Sequence, residues 1–491
     1  MAKPFTAADA ARVRDAAAEA LEEHHVPGLA VGVVAGGVVA GGELAYAEGF
    51  GRADIESGRK QDPALRQRIG SITKTMTALC AMALVDEGRL ALDNRLLDHI
   101  PELVCHGDGA SITVRHLLTH TSGIGEVPMP EDARKPDGTL WSDEPDDDVL
   151  GMFPRGVTID VAPGSKWAYA NFGYALLGEI VARVEGAHIS DVLRRRIFDP
   201  LGMTNTDLLD RPHPDLTTGY HRSPDEDARE LSARAGIDVP DEPTVDGHNI
   251  RGRYQYVRGG GACGAVQSTV PDMARYASAL LRRGAGIVRP ATFDAMTAPQ
   301  WCPDDRLESW GLSFQRFDRM GRRVFGHGGG VFGGWNSMLM MSPADDRAIV
   351  VHANCTFAEF EKVHTRILAA TLEATPPQLA GAPAPEIVAA APGVYEATPG
   401  ALTNFRIITG IGRLQIKADG NGLVLYARRG PWKRGVRLFP ADLADPAFLY
   451  IDDDAVEPSR LALLRDGDRI TGLRCDRLVE MVRTDQVAPW A

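Results

Sequence analysis

The most continuous apolar stretch of the chain follows Ser71 and predicts a helix that is buried on all sides. Apolar residues recur from Ile72 to Val85 without leaving a polar face, which is typical of a core helix. Gly88 is a natural stop for this helix. The first turn nevertheless carries Ser71 and Lys74, which are three residues apart and therefore share one face. A serine at a helix start is commonly a cap, whereas a buried lysine needs a partner or a chemical task.

The patterns before and after this helix predict one sheet that is assembled from both ends of the chain. A helix over 7–24, capped by Thr6, precedes a β-hairpin of Leu29–Val34 and Glu43–Gly49. Later predicted elements are helices over about 172–185, 189–198 and 268–281 (capped by Ser268), strands Arg323–Phe325, Trp335–Met341 and Ala348–Ala353, and a helix near 358–372. We therefore expect an α/β (α+β) fold, a central sheet flanked by helices.

A proline- and alanine-rich linker over 375–388 separates two domains with different patterns. Residues 1–374 carry the long helices and the strands, whereas residues 389–491 show short alternating runs between Gly, Asp and Pro. The predicted strands of the second domain are Phe405–Thr409, Arg413–Ala418, Leu423–Ala427, Val436–Phe439, Phe448–Ile451, Arg460–Leu464 and Ile470–Cys475. This pattern predicts a small all-β, lipocalin-like barrel. The barrel carries no evident nucleophile or cofactor loop, so we interpret it as accessory.

The composition of the chain disfavours several classes of binding partner and cellular location. The 491 residues carry a net charge of −13, which disfavours nucleic acid and anionic membrane surfaces. No apolar run reaches the ~18–20 residues of a membrane span, and the N-terminus lacks a signal-peptide pattern. Six scattered cysteines without a Cys-x-x-Cys pair are typical of free thiols in a reducing compartment, so we expect a cytoplasmic protein.

Two further stretches carry residues with catalytic chemistry. The stretch 163–174 reads as a turn followed by a helix and places Tyr169 close to Asn171. The stretch 325–334, Phe-Gly-His-Gly-Gly-Gly-Val-Phe-Gly-Gly, is a strand end almost stripped of side chains, and it contains His327. Each stretch alone is also compatible with a purely structural role, because Tyr-x-Asn is common and a histidine among glycines is often a turn residue.

Taken together and in this order, the three stretches resemble the penicillin-recognising serine hydrolases, which include class C β-lactamases, D,D-peptidases, D-aminopeptidases and related esterases. The matching elements are Ser71-Ile-Thr-Lys74, Tyr169-Ala-Asn171 and His327-Gly-Gly329, and the likeness covers roughly residues 10–370. It implies a β-lactamase/transpeptidase-like domain with a central antiparallel sheet and an all-helical region. The order of a Ser-x-x-Lys domain and a small barrel also resembles stand-alone penicillin-binding-protein-type thioesterases.

The resemblance implies a role for each motif residue. Ser71 would attack an acyl carbonyl and carry the acyl group, with either Lys74 or Tyr169 as its base. Asn171 would hydrogen-bond the substrate or the lysine. The backbone amides of Ser71 and Gly330 would form the oxyanion hole. Gly328 and Gly329 would bind substrate by letting it lie close along the strand.

The histidine at position 327 departs from the β-lactamase pattern, in which a lysine occupies this place. A histidine is mostly neutral at pH 7 and relays protons, so His327 favours the D-aminopeptidase, esterase or acyltransferase side of the family. His116 and His120 lie four residues apart without an acidic partner pattern, so we interpret them as structural. We therefore expect neither a metal nor another cofactor.

These observations predict a serine hydrolase or acyltransferase for amides or esters, with D-amino-acid-containing peptide-like substrates, working through an acyl-serine intermediate. The partner is then a small-molecule or peptide-like acyl substrate. A second hypothesis is a thioesterase that cyclises nonribosomal peptides delivered as carrier-protein-bound thioesters, with acidic insertions at 126–157 and 222–250 as a lid. A carboxylesterase is a third hypothesis. A non-catalytic peptide-binding module is a fourth, which the complete set of motif residues disfavours.

Overall fold

The computed structural model describes residues 3–36, 43–125, 148–208, 211–223, 242–257, 259, 261–331, 333–357, 359–397, 413–428, 431–453, 456–476 and 479–484. The predicted strand Phe405–Thr409 and most of the two predicted insertions, at 126–157 and 222–250, lie outside the described residues.

The helices predicted from the sequence are present in that order, and the structure adds others to them. In chain order the helices are α1 (Ala7–Glu23), α2 (Thr73–Asp86), α3 (Leu96–His99), α4 (Val114–Leu118), α5 (Asn171–Glu185), α6 (Ile189–Leu193), α7 (Val270–Leu281), α8 (Pro290–Thr297), α9 (Phe360–Leu372) and α10 (Pro385–Ala390). The added helices are α3, α8 and α10. A 3₁₀ turn, Gly70–Ile72, runs directly into α2.

The strands divide into a large sheet, three small sheets and a barrel. Those before the linker are β1 (Gly28–Ala35), β2 (Glu43–Gly51), β3 (Gln67–Arg68), β4 (Cys105–His106), β5 (Val157–Thr158), β6 (Tyr220–Arg222), β7 (Asn249–Arg251), β8 (Gln267–Ser268), β9 (Ser309–Trp310), β10 (Gln315–Arg319), β11 (Arg322–Val331), β12 (Trp335–Ser342), β13 (Arg347–Ala353) and β14 (Cys355–Thr356). Those after it are β15 (Gly393–Ala397), β16 (Arg413–Asp419), β17 (Gly422–Ala427), β18 (Val436–Pro440), β19 (Phe448–Ile451), β20 (Ser459–Asp466), β21 (Arg469–Cys475) and β22 (Val479–Thr484).

The large sheet confirms the prediction that both ends of the chain build one sheet. Its seven strands run in the order β2-β1-β13-β12-β11-β10-β9 and are antiparallel throughout. The N-terminal hairpin therefore lies beside the C-terminal strands, with Val31 of β1 opposite Val351 of β13. This order leaves the two-residue strand β9 at one edge.

Both faces of the sheet are covered by helices. Side chains alternate between the faces of a strand, and Val31 and Val33 of β1 accordingly pack with α1 and α9. Ala30 and Val34 of the same strand pack into the second core, which contains α2, α5 and α7. The all-helical region thus lies on one face of the sheet, and α2 lies within its core.

The helix boundaries differ from the prediction at two places. Thr6 caps α1 as predicted, and its hydroxyl accepts a hydrogen bond from Asp9 N at 3.3 Å. Ser268 is not the cap of α7, because it ends β8 opposite Gln67, and Thr269 accepts the hydrogen bond from Asp272 N instead. The predicted helix 189–198 consists of α6 and a π-helical turn, Arg194–Phe198.

The C-terminal strands form a closed eight-stranded barrel in the order β15 to β22. The six predicted runs that lie in the described residues are strands of this barrel. The strands β15 and β22 were missing from the prediction, and they pair with each other to close it. Among the described residues, no helix is long and apolar enough to cross a membrane.

Candidate active site

The predicted nucleophile lies in the turn that opens α2. Gly70 has φ of +55°, a conformation that favours glycine, and the half-buried Ser71 follows it in the middle of the turn. Every residue from Thr73 to Leu84 is buried, so the prediction of a helix buried on all sides is confirmed. Lys74, on the same face as Ser71, is fully buried.

The Lys74 amino group has three hydrogen-bond acceptors around it. Its Nζ donates to Ser71 Oγ at 3.0 Å, to Asn171 Oδ1 at 2.6 Å and to the Cys263 carbonyl at 2.7 Å. An ammonium has three N–H donors, so these partners match a buried charged lysine. The contacts therefore compensate for the desolvation of the charge.

The chemical difference among the three partners fixes how a neutral Lys74 is oriented. A neutral amine has two N–H donors and one lone pair. The Asn171 and Cys263 oxygens only accept hydrogen bonds, whereas the Ser71 hydroxyl also donates one. The lone pair of a neutral Lys74 is thus directed at the Ser71 hydroxyl, which is the arrangement that proton transfer from Ser71 requires.

Tyr169 and Asn171 both flank the Lys74 amino group. Asn171 is half-buried at the start of α5, and Tyr169 is buried with its ring centroid 5.1 Å from Lys74 Nζ. A cation this close to an aromatic face is attracted by the ring. Tyr174, with its ring 5.8 Å from the same Nζ, donates its hydroxyl to the Leu118 carbonyl, and burial raises the pKa of Tyr174 far above its usual value. Tyr174 is therefore a neutral phenol and not a base.

His120 fixes the loop that carries Tyr169. Its carbonyl accepts a hydrogen bond from Ala168 N at 2.8 Å, and its Nδ1 accepts one from Ala170 N at 3.0 Å. The His120 and Tyr169 rings pack with their centroids 4.2 Å apart. His116 lies four residues before His120, and its Nδ1 accepts a hydrogen bond from Thr113 N within the cap of α4. Both histidines thus have structural contacts.

The glycine run of β11 lies directly against the Ser71 turn. A Cβ on Gly329 would lie 1.9 Å from the Ile69 carbonyl oxygen, and a Cβ on Gly70 would lie 2.8 Å from Gly330 N. Neither position has room for a side chain, so the two backbones are in contact. Gly330 is exposed and Gly328 is half-buried on this strand, whereas Gly329 is buried against the turn.

His327 lies on the same strand but faces the aromatic side of the site. It is almost fully buried, and its Nδ1 is 2.5 Å from the Gly328 carbonyl, which makes this nitrogen the hydrogen-bond donor. Its ring lies 6.2 Å from that of Tyr169 and 5.5 Å from that of Trp310, between centroids. His327 is therefore connected to the site by the packing of its ring on Tyr169.

Two parts of the site were not predicted from the sequence. The Cys263 carbonyl is a backbone acceptor, and a pattern of side chains does not predict its position. Trp310, which is fully buried, packs on Trp167, Tyr169 and His327 and lies outside the three motifs. An isolated tryptophan in an otherwise polar stretch was the available signal.

Comparison with known proteins identifies the family of this chain. The sequence profile of the family described as Beta-lactamase matches residues 13–373, which contain every candidate site residue. The chain belongs to the Beta-lactamase family.

Individual proteins are similar to this chain at low identity. Esterase EstB of Burkholderia gladioli is 31% identical over 254 residues, which are 50% of this chain and 62% of the esterase. The octameric penicillin-binding protein homologue from Pyrococcus abyssi is 22% identical with a TM-score of 0.60, over 96% of this chain and 99% of that one. D-amino acid amidase from Ochrobactrum anthropi is 25% identical with a TM-score of 0.59, over 73% of this chain and 98% of the amidase.

The contact between β11 and the Ser71 turn predicts that Gly329→Ala destabilises the protein. Its Cβ meets backbone that cannot move alone, so the free energy of unfolding falls by about 1–3 kcal/mol. Urea denaturation measures this change. Gly328→Ala is the matched control, because its Cβ would lie 3.1 Å from the flexible end of Met338. Equal stability of the two variants would contradict the close approach.

Proposed function

We propose that this protein is a serine hydrolase that cleaves ester or amide bonds through an acyl-Ser71 intermediate. The observation that carries the proposal is the contact between Ser71 Oγ and Lys74 Nζ at 3.0 Å. Of the three oxygens hydrogen-bonded to Lys74 Nζ, only the Ser71 hydroxyl can donate a proton. Membership of the Beta-lactamase family supports the same reaction class.

In the proposed acylation step Ser71 Oγ bonds to the substrate carbonyl carbon while its proton moves to neutral Lys74. The carbonyl π electrons move to oxygen, and the amides of Ser71 and Gly330 stabilise that negative charge. When the tetrahedral intermediate collapses, the bond to the alcohol or amine leaving group breaks. The proton on Lys74 goes to the leaving group, directly or through Tyr169. An acyl ester on Ser71 remains.

Deacylation repeats these steps with water or an acceptor amine as the attacking group. Lys74 takes the proton of the acceptor and returns it to Ser71 Oγ, so no net proton is gained or lost by the enzyme. Asn171 and the Cys263 carbonyl hold the amine throughout, since both contacts suit its neutral and its charged form. Their part in this proposal is positional.

The substrate class follows from His327. A histidine instead of a lysine means that no permanent cation lies at the place where a lysine would bind a carboxylate. We therefore favour neutral esters and amides, including D-aminoacyl amides, as substrates. An esterase and a D-amino acid amidase among its relatives agree with both bond types. Transfer from a carrier-bound peptidyl thioester to an amine is the second candidate, because a small barrel follows the catalytic domain.

Ser71→Ala should lower kcat for a p-nitrophenyl ester by at least about 10⁴-fold, because it removes the nucleophile. Ser278→Ala, a buried serine on α7, is the control and should keep the wild-type rate. A slow substrate should add one acyl mass to the intact protein, and trypsin should place it on the cysteine-free peptide Ile69–Lys74. Full activity of Ser71→Ala, or an adduct on a cysteine peptide, would refute the mechanism.

Asn171→Asp tests whether Lys74 is the base. A carboxylate in contact with Nζ holds the proton on the amine, so the acid limb of the pH–rate profile should move up by about one pH unit or more. Asn171→Ala is the control, since it removes the contact without adding charge. The profile of kcat/KM against pH is the measurement, and an unmoved acid limb in Asn171→Asp would contradict Lys74 as the base.

A competition screen separates the candidate substrates. D- and L-aminoacyl amides, p-nitrophenyl esters and peptidyl thioesters are compared with and without an added amine, and products are followed by mass spectrometry. We expect kcat/KM for neutral esters and D-aminoacyl amides to exceed that of matched substrates with a free carboxylate by about tenfold or more. Exclusive turnover of thioesters with an amine acceptor would instead establish the acyltransferase function.

A further inference from the structure

The edge of the large sheet beside the active site is formed by a very short strand. Strand β9 has two residues, Ser309 and Trp310, which face Arg316 and Gln315 of β10. Trp310 also exchanges two backbone hydrogen bonds of 2.9 Å with Trp301. So short an edge strand has few ladder contacts to fix it. Yet the ring of Trp310 is fully buried against Tyr169 and His327.

The residues directly before Trp310 are held by the barrel. Arg306 pairs with Asp445 at 2.6 Å, and its guanidinium carbon lies 4.3 Å from the ring centroid of Phe448. Leu307 is buried in one apolar cluster with Phe448 and Ala462. Three of these five residues belong to barrel strands or to the loop before them, so the catalytic domain and the barrel share this cluster.

A buried ion pair of the barrel also contacts the next residue, Glu308. Glu308 N donates to Asp476 Oδ1 at 3.1 Å, and Asp476 also accepts from Arg460 N and Nε at 2.9 and 3.1 Å. Arg460 and Asp476 are both buried, so this acceptor is itself rigidly placed. Three consecutive residues, 306–308, therefore contact the barrel, two positions before Trp310.

A second barrel contact reaches the strand that carries His327. Glu457 Oε2 accepts a hydrogen bond from Met320 N at 2.9 Å, in the turn between β10 and β11. Within this part of the sheet Gln315 of β10 is the register partner of both Trp310 and Gly326. The barrel thus contacts the chain just before β9 and at the start of β11, on either side of β10.

We propose that the barrel is a positioning part of the active site: by holding residues 306–308 and the β10–β11 turn it fixes Trp310, and through Trp310 the rings of His327 and Tyr169. This inference rests on the proposed function, since it assigns the barrel a role in that reaction. It differs from the accessory interpretation, under which disturbing the barrel contacts leaves the chemistry unchanged. Leu307 and Phe448 are positioning residues, not catalytic ones.

The test is a double-mutant cycle in the full chain. Leu307→Ala and Phe448→Ala remove the two sides of one contact, so each should lower kcat for a p-nitrophenyl ester by about tenfold with KM within twofold. The double variant should lose no more than either single variant, because both act through the same contact. Wild-type kcat in both single variants would overturn the proposal, as would losses that multiply in the double variant.

Three further variants separate positioning from a general loss of stability. Leu425→Ala empties a comparable volume inside the barrel, away from the contact, and should keep the wild-type kcat. Leu307→Met keeps the volume and should also keep it. Asp445→Asn, at a partly exposed position that does not threaten folding, should lower kcat by about twofold to threefold. An equal loss of kcat in Leu425→Ala, or no loss in Asp445→Asn and Leu307→Ala together, would count against positioning.

Acyl-enzyme formation by the wild-type protein keeps the two proposals distinguishable. If the wild-type chain forms no adduct on Ser71, the proposed function fails. If it forms the adduct and the contact variants form it at the wild-type rate, only the positioning role of the barrel fails. The burst of p-nitrophenol in the first turnover reports this rate directly.

Discussion

The rest of the structure depends on the burial of the Lys74 amino group. An uncompensated charge or amine in this core would cost several kcal/mol. The compensating oxygens come from its own turn, from Asn171 and from the backbone of Cys263, which are separated by 97 and 189 residues from Lys74. The fold must therefore bring α5 and the 262–266 segment to within 3 Å of α2, whatever else it does. The same contacts that make the burial tolerable aim the amine at Ser71.

One face of α2 is more polar than its pattern indicates. Thr73 Oγ1 accepts from Val266 N, and Thr77 Oγ1 donates to the Ala262 carbonyl at 2.7 Å, next to the Cys263 carbonyl that receives Lys74. Residues 73, 74 and 77 share one helical face. Together they provide hydrogen-bond partners for the backbone of the 262–266 segment, which pairs with no strand among the described residues. Threonines in a buried helix were therefore a signal for a backbone partner, although the apolar pattern alone predicted a helix without a polar face.

Features that depend on neighbours in sequence were predictable, and features that depend on distant backbone were not. The α2 helix, the Thr6 cap, the hairpin and the central strands follow from local pattern, and the structure has them. The Thr269 cap was missed by one residue, because Ser268 and Thr269 are equally suited and pairing of Ser268 with Gln67 decides between them. The strands β15 and β22 were missed because closure pairs them across the whole domain. Trp310 was missed because a two-residue strand has no periodicity.

In the proposed reaction, His327 bears on both the charge beside Lys74 and the substrate class. A second permanent cation packed on Tyr169 would lie close to the cation already buried at Lys74, and like charges in a poorly solvated site repel. A histidine in this place is not a permanent cation, so it does not impose the repulsion that a second lysine would. The lack of a permanent cation also removes a fixed partner for a substrate carboxylate, which is why we infer neutral esters and amides. In the proposed reaction a single residue, His327, therefore bears on both the substrate class and the charge beside Lys74.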